Sequence, residues 1–181
     1  AKDRACLLKA AMKSPVRTLD FWAKRLADPV AERIGPAPQE LVDYLEIDNA
    51  VNGFPEKPRV AKLSPEFLAD ARGALADLLP VLRKVAGPTF AGVYFVEDLG
   101  GTGFTDAVRE KPGAAPKAAY IVLDAKVLEH HRANGWATWK ENTPFKPGGG
   151  WTLEAKIEEP AEDTRRSAIR YILLHEFGHV V

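Results

Sequence analysis

Through the first half of the chain, apolar residues recur at intervals of three and four, the spacing that lines one face of a helix. Leu7, Leu8, Ala11 and Met12 share the face of a short opening helix. Leu19, Trp22, Ala23, Leu26 and Val30 mark a second over Pro15 to Arg33, which Pro29 kinks or divides. Gly35-Pro36-Ala37-Pro38 breaks the pattern; Leu41, Val42, Leu45 and Ala50 resume it in a third helix that Asn52-Gly53-Phe54-Pro55 ends. Ser64-Pro65-Glu66 combines a capping hydroxyl, a proline at the first helical position and an early acid. It predicts a fourth helix through Phe67, Leu68, Ala71, Leu75, Leu78 and Leu79, kinked or split at Pro80.

After Gly87 the pattern changes. Phe90 to Val96 and Ala119 to Leu123 are short β-branched and aromatic runs bounded by turn residues, and they predict strands. Trp151 to Ile157 alternates apolar and polar positions and predicts a third. Asp124 to Asn134 reads as a helix or irregular crossover, and Pro160 to Thr164 as the start of a last helix. The expected class is α+β: a helical N-terminal region over residues 1–87, then a small mixed β-sheet backed by the last helix over residues 88–181.

That last helix carries the candidate chemistry, in His175-Glu176-Phe177-Gly178-His179. Residues four apart on a helix lie one above the other, so His175 and His179 can turn a ring nitrogen toward one point. Glu176 projects beside them, close enough to take a proton from a water there. With four histidines in the chain, a chance His-Glu-x-x-His is roughly a one-in-a-few-hundred event. From Tyr171 to Val181 these three and the Tyr171 phenol are the ionisable groups, which predicts a helix buried nearly all round. Buried imidazoles and a carboxylate are costly unless paired or metal-bound, so the competing reading is a His-Glu-His hydrogen-bond network without metal.

With the apolar Ile172-Leu173-Leu174 before it, the run resembles the zincin superfamily of zinc metallopeptidases. The resemblance implies that His175 and His179 are ligands of Zn2+, that Glu176 is the catalytic base, and that residues 88–181 form a zincin-like catalytic subdomain. It implies a peptide or protein substrate lying along an edge strand of the sheet. It also implies a third ligand downstream of the motif. The final helix lacks a Gly or Asn cap, a basic last turn and a following proline, and predicts a native chain that continues beyond Val181. Two other readings compete. Glu176-x-x-His179 is half of a di-iron motif, but no second Glu-x-x-His occurs. A zincin-like module without activity, binding a partner protein, would have no need of Glu176.

Composition narrows the choice. Twenty-five basic and 25 acidic side chains give a net charge of zero, without the concentrated basic field that nucleic-acid or membrane-surface partners require. No apolar run is long enough to span a bilayer, and Cys6, the single cysteine, forms no internal disulfide. His130-His131 reads as a solvated helix end, with a metal role as the alternative. Trp136, Trp139 and Trp151, flanking Pro147-Gly148-Gly149-Gly150, read as packing residues rather than a substrate rim; Tyr171 also reads as core. Gly100-Gly101-Thr102-Gly103 lacks the Lys and hydroxyl of a phosphate loop and reads as a turn.

Overall fold

In the computed structural model, which describes residues 4–78, 80–109, 111, 113–145 and 150–180, eight α-helices surround one small mixed sheet. Leu79, Pro147-Gly148-Gly149 and Val181, assigned above to a helix, a glycine-rich segment and the chain's last helix, lie outside the described residues. The chain is mixed α/β in the α+β sense, with helices on both faces of the sheet.

Helices α1 (Arg4–Met12), α2 (Leu19–Ala27) and α3 (Gln39–Asn52) come first, and short 3-10 turns at Pro15–Arg17 and Val30–Glu32 divide the expected second helix around Pro29. Strand β1 (Ile34–Pro36) precedes α3, and β2 (Arg59–Val60) follows it. Gly53 ends α3 in the left-handed conformation at φ 80°, which glycine adopts without a Cβ clash. Helix α4 (Pro65–Ala76) begins on Ser64, whose hydroxyl accepts the Phe67 N–H, and α5 (Pro80–Ala86) is a separate helix begun by Pro80. Strands β3 (Phe90–Glu97), β4 (Gly103–Val108) and β5 (Ala118–Asp124) follow, then α6 (Ala125–Glu129), α7 (Ala133–Asn142) and α8 (Arg165–Phe177).

The strands lie in the order β1-β3-β5-β4, with β1, β3 and β5 parallel and β4 antiparallel at the edge; β2 pairs antiparallel with the end of β3. β1 and β2 thus bring residues before 88 into the same sheet. On one face Phe90, Val93, Phe95, Ile121 and Leu123 pack against α4, α6, α7 and α8. On the other, Tyr94, Val96, Tyr120 and Val122 pack against Trp22 and the Leu41, Val42 and Leu45 face of α3. The alternation along β3 is reset at a bulge, where Phe90 pairs with Ala119 and Gly92 with Tyr120. Gly92 has φ 143°, and a Cβ there would stand 2.7 Å from the Arg33 carbonyl oxygen, so only glycine fits.

Two buried polar residues close the layers. The Arg33 guanidinium donates to the carbonyls of Leu26 (2.8 Å), Asp28 (2.9 Å), Gly87 (2.7 Å) and Phe90 (2.5 Å), pinning α2, the end of α5 and the start of β3 together. Asp124, at the end of β5, accepts the Leu99 N–H on one oxygen and caps α6 through the Lys126 and Val127 N–H groups on the other. It thereby holds the loop that carries the chain from β3 over the end of β5 to the far edge.

The expected strand at Trp151–Ile157 does not join the sheet. Its main chain is bonded instead to polar side chains of α7: Asn142 to Leu153, Thr138 to Ala155, and Asn134 to Ile157 and Glu158. Four residues of helix rise about 6 Å and two of strand about 6.6 Å, so the rows stay in step.

Arg33→Lys keeps the charge but loses the planar fork that reaches four carbonyls. It is expected to lower unfolding free energy by about 2–4 kcal/mol, read from urea midpoints.

Candidate functional site

Helix α8 begins on Thr164, whose hydroxyl accepts the Ser167 N–H at 3.1 Å. Ile169, Ile172, Leu173 and Phe177 then bury one stripe against the sheet. Arg165 pairs with Asp70, Arg166 with Asp77, and Arg170 with Glu158, fastening the helix to α4 and to the extended segment. The α-helix proper ends at Phe177. Beyond it the chain tightens: the N–H groups of Gly178, His179 and Val180 bond to the carbonyls three residues back, those of His175, Glu176 and Phe177.

The expectation of a helix buried all round is corrected here. Tyr171, Leu174, His175, Gly178 and His179 form an exposed stripe, while Glu176 is 7% exposed. The reason is one-sided packing: α8 lies against α4, α6, α7 and β4, and nothing among the described residues covers its outer side. Burial therefore imposes no cost on the two imidazoles; it falls on the carboxylate alone. Tyr171, expected in the core, is 45% exposed and lays its ring against Trp136 at 5.7 Å.

His175 and His179 stand edge to face, with ring centres 5.3 Å apart. Two imidazoles on one tetrahedral zinc, with Zn–N about 2.1 Å, hold their ring centres about 5 Å apart, so the pair suits a shared metal. Among the described residues no group of three His, Cys, Asp or Glu is disposed to hold a metal ion. His130 and His131 do not join the pair; they border a separate recess of about 410 Å³ with Asp70, Asp163 and Arg165, where His131 stacks on Trp139. Trp136 is buried, as expected of a packing residue, but Trp139 and Trp151 are exposed, Trp151 almost fully.

Glu176 turns toward the sheet edge. The Thr105 hydroxyl of β4 lies 2.6 Å from Glu176 Oε2 and 3.1 Å from the Glu176 carbonyl oxygen. An O–H donated to a carboxylate at this separation is among the stronger neutral-to-charged bonds. Sequence reading missed β4, and with it Thr105. The alternation of Gly103, Thr105 and Ala107 with Phe104, Asp106 and Val108 was present, but small and polar residues on both faces masked it.

β4 is held from its other face as well. Asp106 Oδ2 accepts the Tyr44 hydroxyl at 3.1 Å and the Tyr120 hydroxyl at 3.0 Å, and Oδ1 accepts the Ala107 N–H. Burial, reinforced by the Asp106 charge, pushes the Tyr44 phenol up to about 12 and Tyr120 well above its ordinary value. The Asp124 N–H donates to the Thr102 carbonyl and sets the phase of the β4–β5 ladder. The main-chain groups of Phe104 and Asp106 consequently face β5, and those of Gly103 and Thr105 face outward along an edge that no strand among the described residues pairs with.

The chain matches no protein family's sequence profile, and neither a curated protein nor a solved structure matches it. No described helix is long and apolar enough to cross a membrane.

Between about pH 10 and 12 the unfolded chain releases phenol protons that folded Tyr44 and Tyr120 retain. The folded state then binds more protons, so stability is full below about pH 10 and falls as pH rises. Urea midpoints at about pH 9 and 11 are expected to differ markedly in the native chain and less in Tyr44→Phe.

Proposed function

We propose that this chain carries the catalytic helix of a zinc-dependent metallopeptidase. The observation that supports the reading most is the setting of His175-Glu176-Phe177-Gly178-His179. Two exposed imidazoles stand 5.3 Å apart, and the intervening carboxylate is anchored at the middle of the β4 edge. In this reading His175 and His179 hold the metal. Zinc, when bound, supplies Lewis acidity that makes a water acidic near neutral pH. Glu176 accepts that water's proton as general base, from a buried position where its orientation is fixed.

The substrate follows from the edge. An extended peptide bonds to the outward main-chain groups of Gly103 and Thr105 and adds a strand to β4. Because Thr105 also bonds Glu176, a peptide docked there runs past the base. Two imidazoles alone bind zinc weakly, so the reading requires a third donor from outside the described residues.

A non-catalytic zincin-like module that binds a partner protein is the second reading. It is favoured by the exposed apolar side chains of Trp139, Phe145, Trp151 and Leu153 around the end of α7.

Metal content and peptide hydrolysis separate the two. Near-stoichiometric zinc is expected by plasma mass spectrometry in the native chain, and its loss in His179→Ala. Glu176→Gln is expected to keep the zinc and lose at least about 100-fold in kcat. A Glu176→Gln protein that cleaves a peptide library as fast as the native chain would leave the partner-binding module as the better account.

A further inference from the structure

We infer that Thr105 is a positioning residue for the Glu176 base. Its hydroxyl holds Oε2 on the edge strand and leaves Oε1 as the oxygen that accepts the proton. The inference deepens the metallopeptidase reading and rests on it.

Three observations converge on Thr105. Glu176 is 7% exposed, and a carboxylate so buried needs a hydrogen-bond partner; among the described residues the Thr105 hydroxyl is the one its side chain has. The same hydroxyl lies 3.1 Å from the Glu176 carbonyl, whose oxygen also accepts the His179 N–H at 3.0 Å. Thr105 therefore stands at the turn that sets the helix end carrying the second imidazole. Finally, Thr105 has little freedom of its own. Its β-branched side chain is stiff, and the adjacent Asp106 is locked from the opposite face by Tyr44 and Tyr120.

A long, flexible glutamate is a poor base unless something selects its rotamer. Glu176 comes from a helix and Thr105 from a strand 71 positions earlier, so their bond makes the sheet edge the reference for the base. A peptide paired to that edge and the oxygen that deprotonates the attacking water are then registered to one residue. The expected signature is selective: the chemical step suffers, while substrate and metal binding do not.

The test compares the full native chain with Thr105→Val, which keeps the shape and removes the hydroxyl, and with Thr105→Ser, which restores it. Thr105→Val is expected to lose about 10- to 100-fold in kcat with KM and zinc content unchanged, and Thr105→Ser to recover most of it. A second readout is independent of turnover. In protein labelled with carbon-13 at the glutamate carboxyl, one resonance is absent in Glu176→Gln. That resonance is expected to shift in Thr105→Val and stay in place in Thr105→Ser. Should Thr105→Val fail to fold, Thr105→Ala carries the same comparison. If the native chain needs Glu176 and zinc while Thr105→Val keeps the native kcat and the native resonance, the positioning role is overturned and the metallopeptidase reading stands. A native chain that hydrolyses peptides without need of Glu176 overturns both.

Discussion

Strand β3 meets water on neither face, and the rest of the architecture follows from that constraint. Its side chains alternate into two separate clusters, so each face of the sheet must be covered by helices. α2 and α3 serve one side; α4, α6, α7 and α8 serve the other. A parallel neighbour on each flank, β1 and β5, keeps the main chain of β3 paired as well as its side chains covered. The sheet's open edges among the described residues fall instead on β4, beyond β5, and on the three-residue β1 at the opposite end.

Position within this frame explains what could be read from residues alone. Elements that bury a regular stripe announce themselves: α3 through Leu41, Val42 and Leu45, α4 through Ser64-Pro65 and its apolar face, β3 and β5 through unbroken apolar runs. Elements stabilised by polar contacts do not. β4 carries Thr105 and Asp106 at its centre because it is clamped by hydrogen bonds on both faces, and its periodicity is chemical rather than hydropathic. Trp151–Ile157 has the alternation of a strand, yet the partner of its main chain is a helix. β1 and β2, of three and two residues, are too short to leave a pattern.

For the candidate site, adjacency was legible and environment was not. The spacing of His175 and His179 foretells that their rings share a side of α8. It does not foretell that both face outward while Glu176 alone is buried, because that depends on which part of α8 its neighbours cover. Nor can local spacing reveal a partner 71 residues away on another element. The apolar character of Ile172-Leu173-Leu174 suggested burial on every side, but Leu174 lies on the open face.

The row of Asn134, Thr138 and Asn142 has a different kind of consequence. It grips the extended segment wholly through main-chain N–H and C=O groups, which every residue except proline offers alike. The main chain of this stretch is therefore set by α7, and of its side chains Ala155 and Ile157, packed on the core, and Glu158, paired with Arg170, add to the hold. Substitutions at its outward positions, such as Thr152 and Glu154, can accumulate without moving the backbone, whereas three small polar residues on a helix cannot drift. A surface whose shape is conserved by its neighbour is free to diversify in chemistry.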